Sequence, residues 1–343
     1  MNTKLFLPIF FISLMLSLLF CGCNYGGDDD NVYIPIYQDA IYIMDADGSN
    51  KQKVIDVDNC DNVQFIPNSN KLLYLADNSL YTVNEDGTEN TNISGELKVA
   101  DYEYACVTSN GSYVYFCAES DRYPAKDLYG YEIFEDQVEI IYQNPLRNCQ
   151  SPALSPNNEL IAFSENDINS YSILEFDLTN ANVDTILTIA SSDFFVGLPS
   201  YKNLNTIYYI KTLEHGPELF KYDKDTGNSI SLIYEVSPFP YWISNDKEKL
   251  VYINYPIIQY LQNETIIYEI HEGKEPHISN FGIIFSTSYI TESSGIFFYN
   301  FITEEIENIM EMGRTARFST DDDRIIYIGA YLTNPQRKNL ITN

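Results

Sequence analysis

The sequence predicts an all-β protein, a β-propeller of four-stranded antiparallel blades, and three observations carry that prediction. The first is composition: 29 Tyr, 19 Phe and a 45% hydrophobic content in 343 residues. Aromatic and β-branched residues suit pleated, half-buried surfaces, and this much apolar material sets the chain apart from those too polar to fold. The second is a polar turn that recurs near Asn68, Asn110, Asn157, Lys202, Asp246, Phe281 and Asp321, at intervals of 35 to 47 residues. The third lies at the chain ends. Ile41–Ile55 reads as the second half of a repeat unit and Arg317–Ile328 as the first half. Pairing them closes a ring of seven blades and leaves no open edge between first and last.

In chain order, Lys4 precedes an apolar stretch from Leu5 to Phe20. About 16 residues is short for a spanning helix and ordinary for a signal peptide. The segment Leu18-Leu19-Phe20-Cys21-Gly22-Cys23 follows. It resembles the bacterial lipoprotein signal, in which a small residue precedes a lipidated Cys, and Gly22 before Cys23 fits better than Phe20 before Cys21. The resemblance implies removal of residues 1–22 and a lipid anchor on Cys23 in the bacterial cell envelope. An uncleaved anchor or an ordinary signal peptide would export the chain equally. Residues 23–31 form a polar, acidic tether that includes Asp28, Asp29 and Asp30. This run resembles the export signals of bacterial surface lipoproteins, which favours the outer membrane or cell surface over the inner membrane. A plain solvated linker fits it as well. The propeller is assigned to residues 32–332 and a C-terminal tail to 333–343.

Within the repeat, Asn62–Ala76 with Ser79–Gly87, and Ser151–Ser164 with Ser172–Thr179, share one order: short run, polar turn, apolar run, gap, run, turn. That is a four-strand meander. An apolar run follows each recurrent turn: Leu72–Ala76, Tyr113–Cys117, Leu160–Phe163, Thr206–Ile210, Leu250–Ile253, Gly282–Phe285 and Ile325–Ile328. Runs such as Ile207-Tyr208-Tyr209-Ile210 are apolar at consecutive positions, as a sheet covered on both faces requires. The unit at Phe281 has a shortened turn, so a count of six or eight blades would arise there.

The hairpin Ile41–Asn50 and the turns Ser155-Pro156-Asn157-Asn158 and Ser319-Thr320-Asp321-Asp322 resemble the repeats of TolB-type propellers. The resemblance covers residues 32 to about 332 and implies four-stranded antiparallel blades. The TolB propeller has six blades, against seven units here, and TolB carries an N-terminal α/β domain for which this sequence has no room. The resemblance therefore implies a fold rather than a role.

Acidic residues outnumber basic ones 49 to 20, a net charge of −29. Such a surface repels phosphate backbones, which excludes nucleic acid as a partner. Anionic membrane surfaces repel it too, so attachment needs an apolar or covalent anchor. Beyond Cys21 and Cys23 the cysteines are Cys60, Cys106, Cys117 and Cys149. Cys106 and Cys117 flank the turn at residues 109–112. A four-residue loop would set them opposite each other and permit a bridge, whereas a two-residue loop would not. An exported chain can form disulfides.

Catalytic signatures are missing from the sequence. It has no Gly-x-Ser-x-Gly elbow, no phosphate loop and no dinucleotide fingerprint. His215, His271 and His277 are its only histidines and none has metal-pair spacing. No cofactor is expected. Asp45, Asp47, Asp223 and Asp225 lack the acid that a calcium loop places near position twelve and read as hairpin formers. Trp242 is expected in the core, with the channel axis as the alternative. Propellers bind at the channel mouth, where links feed the innermost strands. The candidates there are Tyr102, Glu103, Gln150, Phe195, Tyr241, His277, Arg314 and Arg317, the arginines as anion contacts or as intra-blade ion pairs. The expected function is a non-catalytic envelope lipoprotein that binds a protein, small ligand or glycan. The alternative is a glycan- or peptide-processing enzyme with its site at the same mouth.

Overall fold

The computed structural model describes residues 36–99, 105–120, 123–190, 195–234, 236, 241–244, 246–254, 257–271, 273–287 and 295–333. The signal segment, Cys23, the tether, Tyr102 and Glu103 lie outside them. The chain first lays down β1 (Ile36–Asp45) and β2 (Gln52–Asp56). Blade 1 is β3 (Cys60–Phe65), β4 (Lys71–Ala76), β5 (Ser79–Asn84) and β6 (Thr91–Asn92). Blade 2 is β7 (Cys106–Val107), β8 (Tyr113–Ser120), β9 (Tyr123–Glu132) and β10 (Gln137–Tyr142). Blade 3 is β11 (Asn148–Leu154), β12 (Leu160–Asn166), β13 (Ser170–Asp177) and β14 (Asn182–Ala190). Blade 4 is β15 (Phe195–Asn203), β16 (Thr206–Leu213), β17 (Gly216–Asp223) and β18 (Asn228–Ile233). Blade 5 is β19 (Trp242–Ile243), β20 (Lys249–Asn254), β21 (Ile257–Gln262) and β22 (Thr265–His271). Blade 6 is β23 (Lys274–Ile278), β24 (Gly282–Ser286), β25 (Gly295–Asn300) and β26 (Ile306–Glu311).

The last strands, β27 (Gly313–Phe318) and β28 (Arg324–Thr333), return to the start and form blade 7 in the order β27-β28-β1-β2. The structure therefore has seven four-stranded antiparallel sheets. The ring closes as the sequence predicts, with the C-terminal strands innermost and the N-terminal strands outermost. The unit at Phe281 builds a complete blade, so the count stays at seven.

Both faces of a blade are buried, and β4 shows how. Leu72, Tyr74 and Ala76 pack with Ile41, Ile326 and Ile328 of blade 7. Leu73 and Leu75 point the other way, onto Val114, Phe116 and Tyr129 of blade 2. Side chains alternate along a strand, so covering both faces demands apolar residues at successive positions. Each fully buried Leu or Ile contributes roughly 2 kcal/mol. In every blade the second residue of the second strand is aliphatic and pairs with the innermost strand, and a buried aromatic follows two positions on. These are Tyr74, Phe116, Phe163, Tyr209, Tyr252, Phe285 and Tyr327. In five blades this ring stacks on an aromatic of the third strand, as in Tyr74–Tyr81 at 5.1 Å, Tyr327–Tyr42 at 5.3 Å and Phe285–Phe297 at 5.7 Å between centroids.

The recurrent turn has a chemical basis. A buried hydroxyl at its first position accepts the N–H of the residue at or next to the start of the second strand. The bonds run from Tyr113 to Thr108 (3.0 Å), Leu160 to Ser155 (2.9 Å), Lys249 to Ser244 (3.1 Å), Gly282 to Ser279 (3.1 Å) and Arg324 to Ser319 (3.1 Å). Neighbouring turns also bond each other. Asn68 Nδ2 donates to the Ser109 carbonyl at 2.8 Å, Ser109 N–H to Asn158 Oδ1 at 3.1 Å, and Asn280 N–H to Asp322 Oδ2 at 2.9 Å. The aspartates that superficially suggest calcium serve hairpins. Asp47 accepts the Ser49 N–H at 2.8 Å and Asp223 the Thr226 N–H at 2.9 Å. Both carboxyls lie below the usual range, chiefly through bonds from the Ser49 hydroxyl and the Thr226 N–H respectively.

At the periphery each outer strand is an edge. In six blades a bulge interrupts the pairing of the third strand with the fourth, and in blade 1 the fourth strand, Thr91–Asn92, has only two residues. Bulges and short strands make poor templates for a further strand.

The cysteines require a correction. Cys106 faces Tyr115 across β7 and β8, two residues short of Cys117. The Thr108 hydroxyl fixes that register by accepting the Ser112 N–H at 3.0 Å as well as that of Tyr113. Cys117 instead forms a disulfide with Cys149 of blade 3, with Cα atoms 5.8 Å apart, so the bridge links two blades. Cys60 and Cys106 are free thiols, each pushed up to about 12 by burial.

Two glycines separate turn strain from blade contact. Gly111 and Gly227 have the same left-handed backbone, φ 70° and 69°. A Cβ on Gly111 would sit 1.9 Å from the Pro67 carbonyl oxygen of blade 1, whereas one on Gly227 would meet nothing within 4 Å. Gly227→Ala should cost about 1 kcal/mol from backbone strain alone, and Gly111→Ala about 3 kcal/mol or more because two blades must separate. Urea unfolding of both variants measures the difference, and equal losses would mean that the turns do not touch.

Candidate functional site

Each innermost strand starts at the face that carries the blade-to-blade links and runs toward the face that carries the hydroxyl-capped turns. These are the link face and the turn face. Four innermost strands are interrupted midway. Register shifts fall between Gln150 and Ala153, Gly197 and Ser200, Lys274 and His277, and Arg314 and Arg317. In each gap a non-glycine residue has positive φ: Ser151 (51°), Leu198 (54°), Glu275 (48°) and Thr315 (49°). Pro152, Pro199 and Pro276 follow the first three. Left-handed backbone costs a residue with a side chain about 1–2 kcal/mol, and proline restricts the preceding residue further. Strain of this kind gathers where a chain must present groups in a fixed way, and here it surrounds the axis.

Beside these bulges is an axial cavity of about 40 Å³, lined by Asp61, Trp242, Glu275, Pro276, His277, Thr315, Ala316 and Arg317. It draws on β3, β19, β23 and β27. That volume holds a few water molecules, so a larger ligand would reach it only by an inserted tip. The Arg317 guanidinium lies over the Trp242 ring, 5.7 Å from its centroid, a cation–π distance. Trp242 and Phe318 flank the His277 ring at 6.4 and 6.0 Å. His277 Nδ1 accepts the Phe318 N–H at 3.4 Å, which leaves the proton of the neutral ring on Nε2. Desolvation, and then the Arg317 charge, push this imidazole down to about 3. Glu275 Oε2 accepts the Thr315 N–H at 2.9 Å and the Thr315 hydroxyl at 3.0 Å, so its carboxylate braces the next blade's bulge.

Of the residues that the sequence suggests, His277 and Arg317 meet in this cavity. Arg314 does not join them. Its Nη2 donates to Asp39 Oδ2 and to the Cys60 carbonyl, both at 2.7 Å, tying β27 to β1 and to blade 1. Tyr241 is buried between blades 4 and 5, and its hydroxyl donates to the Leu198 carbonyl at 2.9 Å. Gln150 precedes the bulge of β11, where its carbonyl accepts the Ser164 hydroxyl at 3.2 Å. Trp242, expected in the core, packs against buried residues of blades 5 and 6 and also lines the cavity. Sequence reasoning missed Asp61, Glu275 and Thr315. The signal available was the Ser151-Pro152, Leu198-Pro199 and Glu275-Pro276 pairs at one position of the repeat.

The enclosure of His277 has a pH signature. Its folded pKa lies below the unfolded value of about 6.5, so the unfolded chain binds the proton first as pH falls. The contribution is fully present above about pH 6.5 and is lost progressively toward about pH 3. His277→Gln should lose less stability than wild type across that window in denaturant titrations. Relief of the −29 charge affects both proteins alike, so identical pH profiles would show that the ring is not enclosed.

No protein-family model matches the sequence, and a search of curated proteins finds no match. Solved structures do resemble it. A TolB from Agrobacterium tumefaciens superposes with TM-score 0.54 at 9% identity, covering 87% of this chain and all of that one. An oligogalacturonate lyase from Vibrio parahaemolyticus gives TM-score 0.60 at 11% identity, covering 89% of this chain and 99% of its own. A puromycin-hydrolyzing peptidase from Mycobacterium tuberculosis gives 0.60 at 9% identity over 81% of this chain, which spans about half (53%) of that protein. These likenesses concern the fold alone, and the fold is a β-propeller of the TolB type, built here with seven blades.

Proposed function

We propose that this protein is a non-catalytic, lipid-anchored binding module of the bacterial envelope that holds a protein or small ligand at its axial channel. The observation that carries the reading is the axial cavity, where strained bulges brace Trp242, His277 and Arg317 in fixed positions. Fixed aromatic and arginine side chains in a small recess suit recognition of an inserted group. The disulfide between Cys117 and Cys149 supports export, since such bridges belong to oxidising compartments.

The enzyme reading gains one observation: His277 shares its cavity with Asp61 and Glu275. Lyases and peptidases also stand among the structural neighbours. Three features favour binding over turnover. Glu275 Oε2 is committed to Thr315. An imidazole held near 3 is a weak base at neutral pH. The recess is also smaller than a sugar ring.

Two experiments test the proposal. Capture from the native envelope with the full-length protein should retain a partner or glycan that the double variant Trp242→Ala with Arg317→Ala loses at least tenfold, with the fold intact by circular dichroism. Equal capture by both proteins would place binding elsewhere, and turnover of an envelope glycan or peptide that Asp61→Asn abolishes would favour the enzyme. Separately, Cys23→Ala should move the protein from the membrane fraction to the soluble fraction. Unchanged membrane attachment would overturn the lipid anchor.

A further inference from the structure

Two of the most exposed aliphatic side chains, Leu146 (84%) and Ile168 (90%), stand on adjoining loops of the link face. Leu146 lies in the link from β10 to β11 and Ile168 at the apex of the turn from β12 to β13. Both loops are pinned. Asn144 Oδ1 accepts the Leu146 N–H at 3.2 Å, and Asp167 Oδ1 accepts those of Asn169 at 2.6 Å and Ser170 at 2.8 Å. Arg147 joins the loops through Glu165 at 3.0 Å, Asp167 at 2.9 Å and the Ser170 hydroxyl at 2.6 Å. The fold thus holds two apolar tips out in solvent. On a chain of net charge −29 it also pairs the carboxylates of Glu165 and Asp167 with Arg147.

The chain's path indicates what covers them. β1 occupies the third-strand position of blade 7, so its start lies at the same face as the turn that carries Ile168. The chain ahead of Ile36 therefore sets out from the link face. It contains Cys23, 13 residues before Ile36, and the apolar stretch from Leu5 to Phe20. Thirteen extended residues span at most about 45 Å, so either anchor brings a bilayer within reach of this face.

We infer that the rim formed by blades 2 and 3 docks on a lipid bilayer, with Leu146 and Ile168 inserted at headgroup depth; this rests on the anchor reading given under Proposed function. Insertion at the rim tilts the ring and leaves the channel open on the far side. The turn face exposes Phe134 (82%) and Ile302 (83%) to a similar degree but faces away from the anchored end, which makes Phe134 the internal control.

The test uses the full-length lipidated protein in phosphatidylcholine vesicles that contain brominated lipid. Tryptophan reporters are Leu146→Trp, Ile168→Trp and Phe134→Trp, each read against the Trp242 background of wild type. The two link-face reporters should lose emission about twofold while Phe134→Trp is unchanged. Unquenched link-face reporters on vesicle-bound protein would overturn the docking surface and leave the anchor standing. Quenching of Phe134→Trp alone would reverse the orientation and overturn it too. Protein that stays in the supernatant would overturn the anchor, and this inference with it.

Discussion

The ring depends on one pairing, that of β28 with β1. A blade is apolar on both faces, so it is stable only between two neighbours. Six blades are continuous meanders, and the seventh exists only if the chain's two ends meet. Without it, Val63 and Leu72 of blade 1 lose Ile41, Ile326 and Ile328, and Ile284 and Ile296 of blade 6 lose Phe318 and Tyr327. Two of the few basic residues guard this seam. Arg314 binds Asp39 of β1 and the Cys60 carbonyl of β3 at once. Arg324 donates to both Glu85 oxygens at 2.8 Å and lies 4.8 Å from the centroid of the Phe65 ring, joining β28 to blade 1. A guanidinium suits such sites because its planar fork makes bidentate bonds and stacks on a ring together.

One deformation, the bulge, serves opposite ends at the two rims of each sheet. On the outside it misaligns the edge and discourages further pairing. On the inside it carries strained backbone beside the axis and lets one blade brace the next, as Glu275 does for Thr315. The inner bulges with left-handed backbone occur in blades 3, 4, 6 and 7, and a further bulge sets Asp61 out of the pairing at the start of blade 1's innermost strand. The axial cavity takes lining residues from blades 5, 6, 7 and 1, where the bulged strands of blades 6, 7 and 1 stand beside the unbulged strand that carries Trp242. The recess is therefore asymmetric about the axis.

Much of this architecture was legible because it rests on local chemistry. A hydroxyl such as Ser155 or Ser319 marks where an innermost strand ends, since its partner N–H lies only five residues on. The turn at Phe281 could be recognised despite its shortening because Ser279 keeps the same role. What depended on register was not legible. Adjacent residues of a strand point to opposite faces, so Tyr241 and Trp242 could not be assigned to core and axis from sequence. The structure buries Tyr241 between blades 4 and 5, while Trp242 packs on the core of blades 5 and 6 and also lines the recess. The partner of Cys117 was hidden for a related reason. Blade contacts join residues about one repeat apart, and the 32 residues to Cys149 are not a hairpin distance. Arg314 and Arg317 looked alike in sequence, but the bulge between them sends one to the seam and the other to the recess.

The charge of the recess follows from the same packing. Arg317 stays protonated at any physiological pH, and its stacking on Trp242 holds it close to His277. Burial of the ring, and then that fixed positive charge, disfavour a second proton on His277. The imidazole is thus a neutral Nε2–H donor beside a permanent cation, and its state does not change between pH 5 and 8. A group poised to shuttle protons would need the opposite arrangement, with an acid close enough to raise the ring toward neutrality. The nearest carboxylate in the strand, Glu275, is turned away to the Thr315 backbone instead. The ring closure, the inner bulges and the cation–π stack therefore converge on a recess whose hydrogen-bonding face is constant.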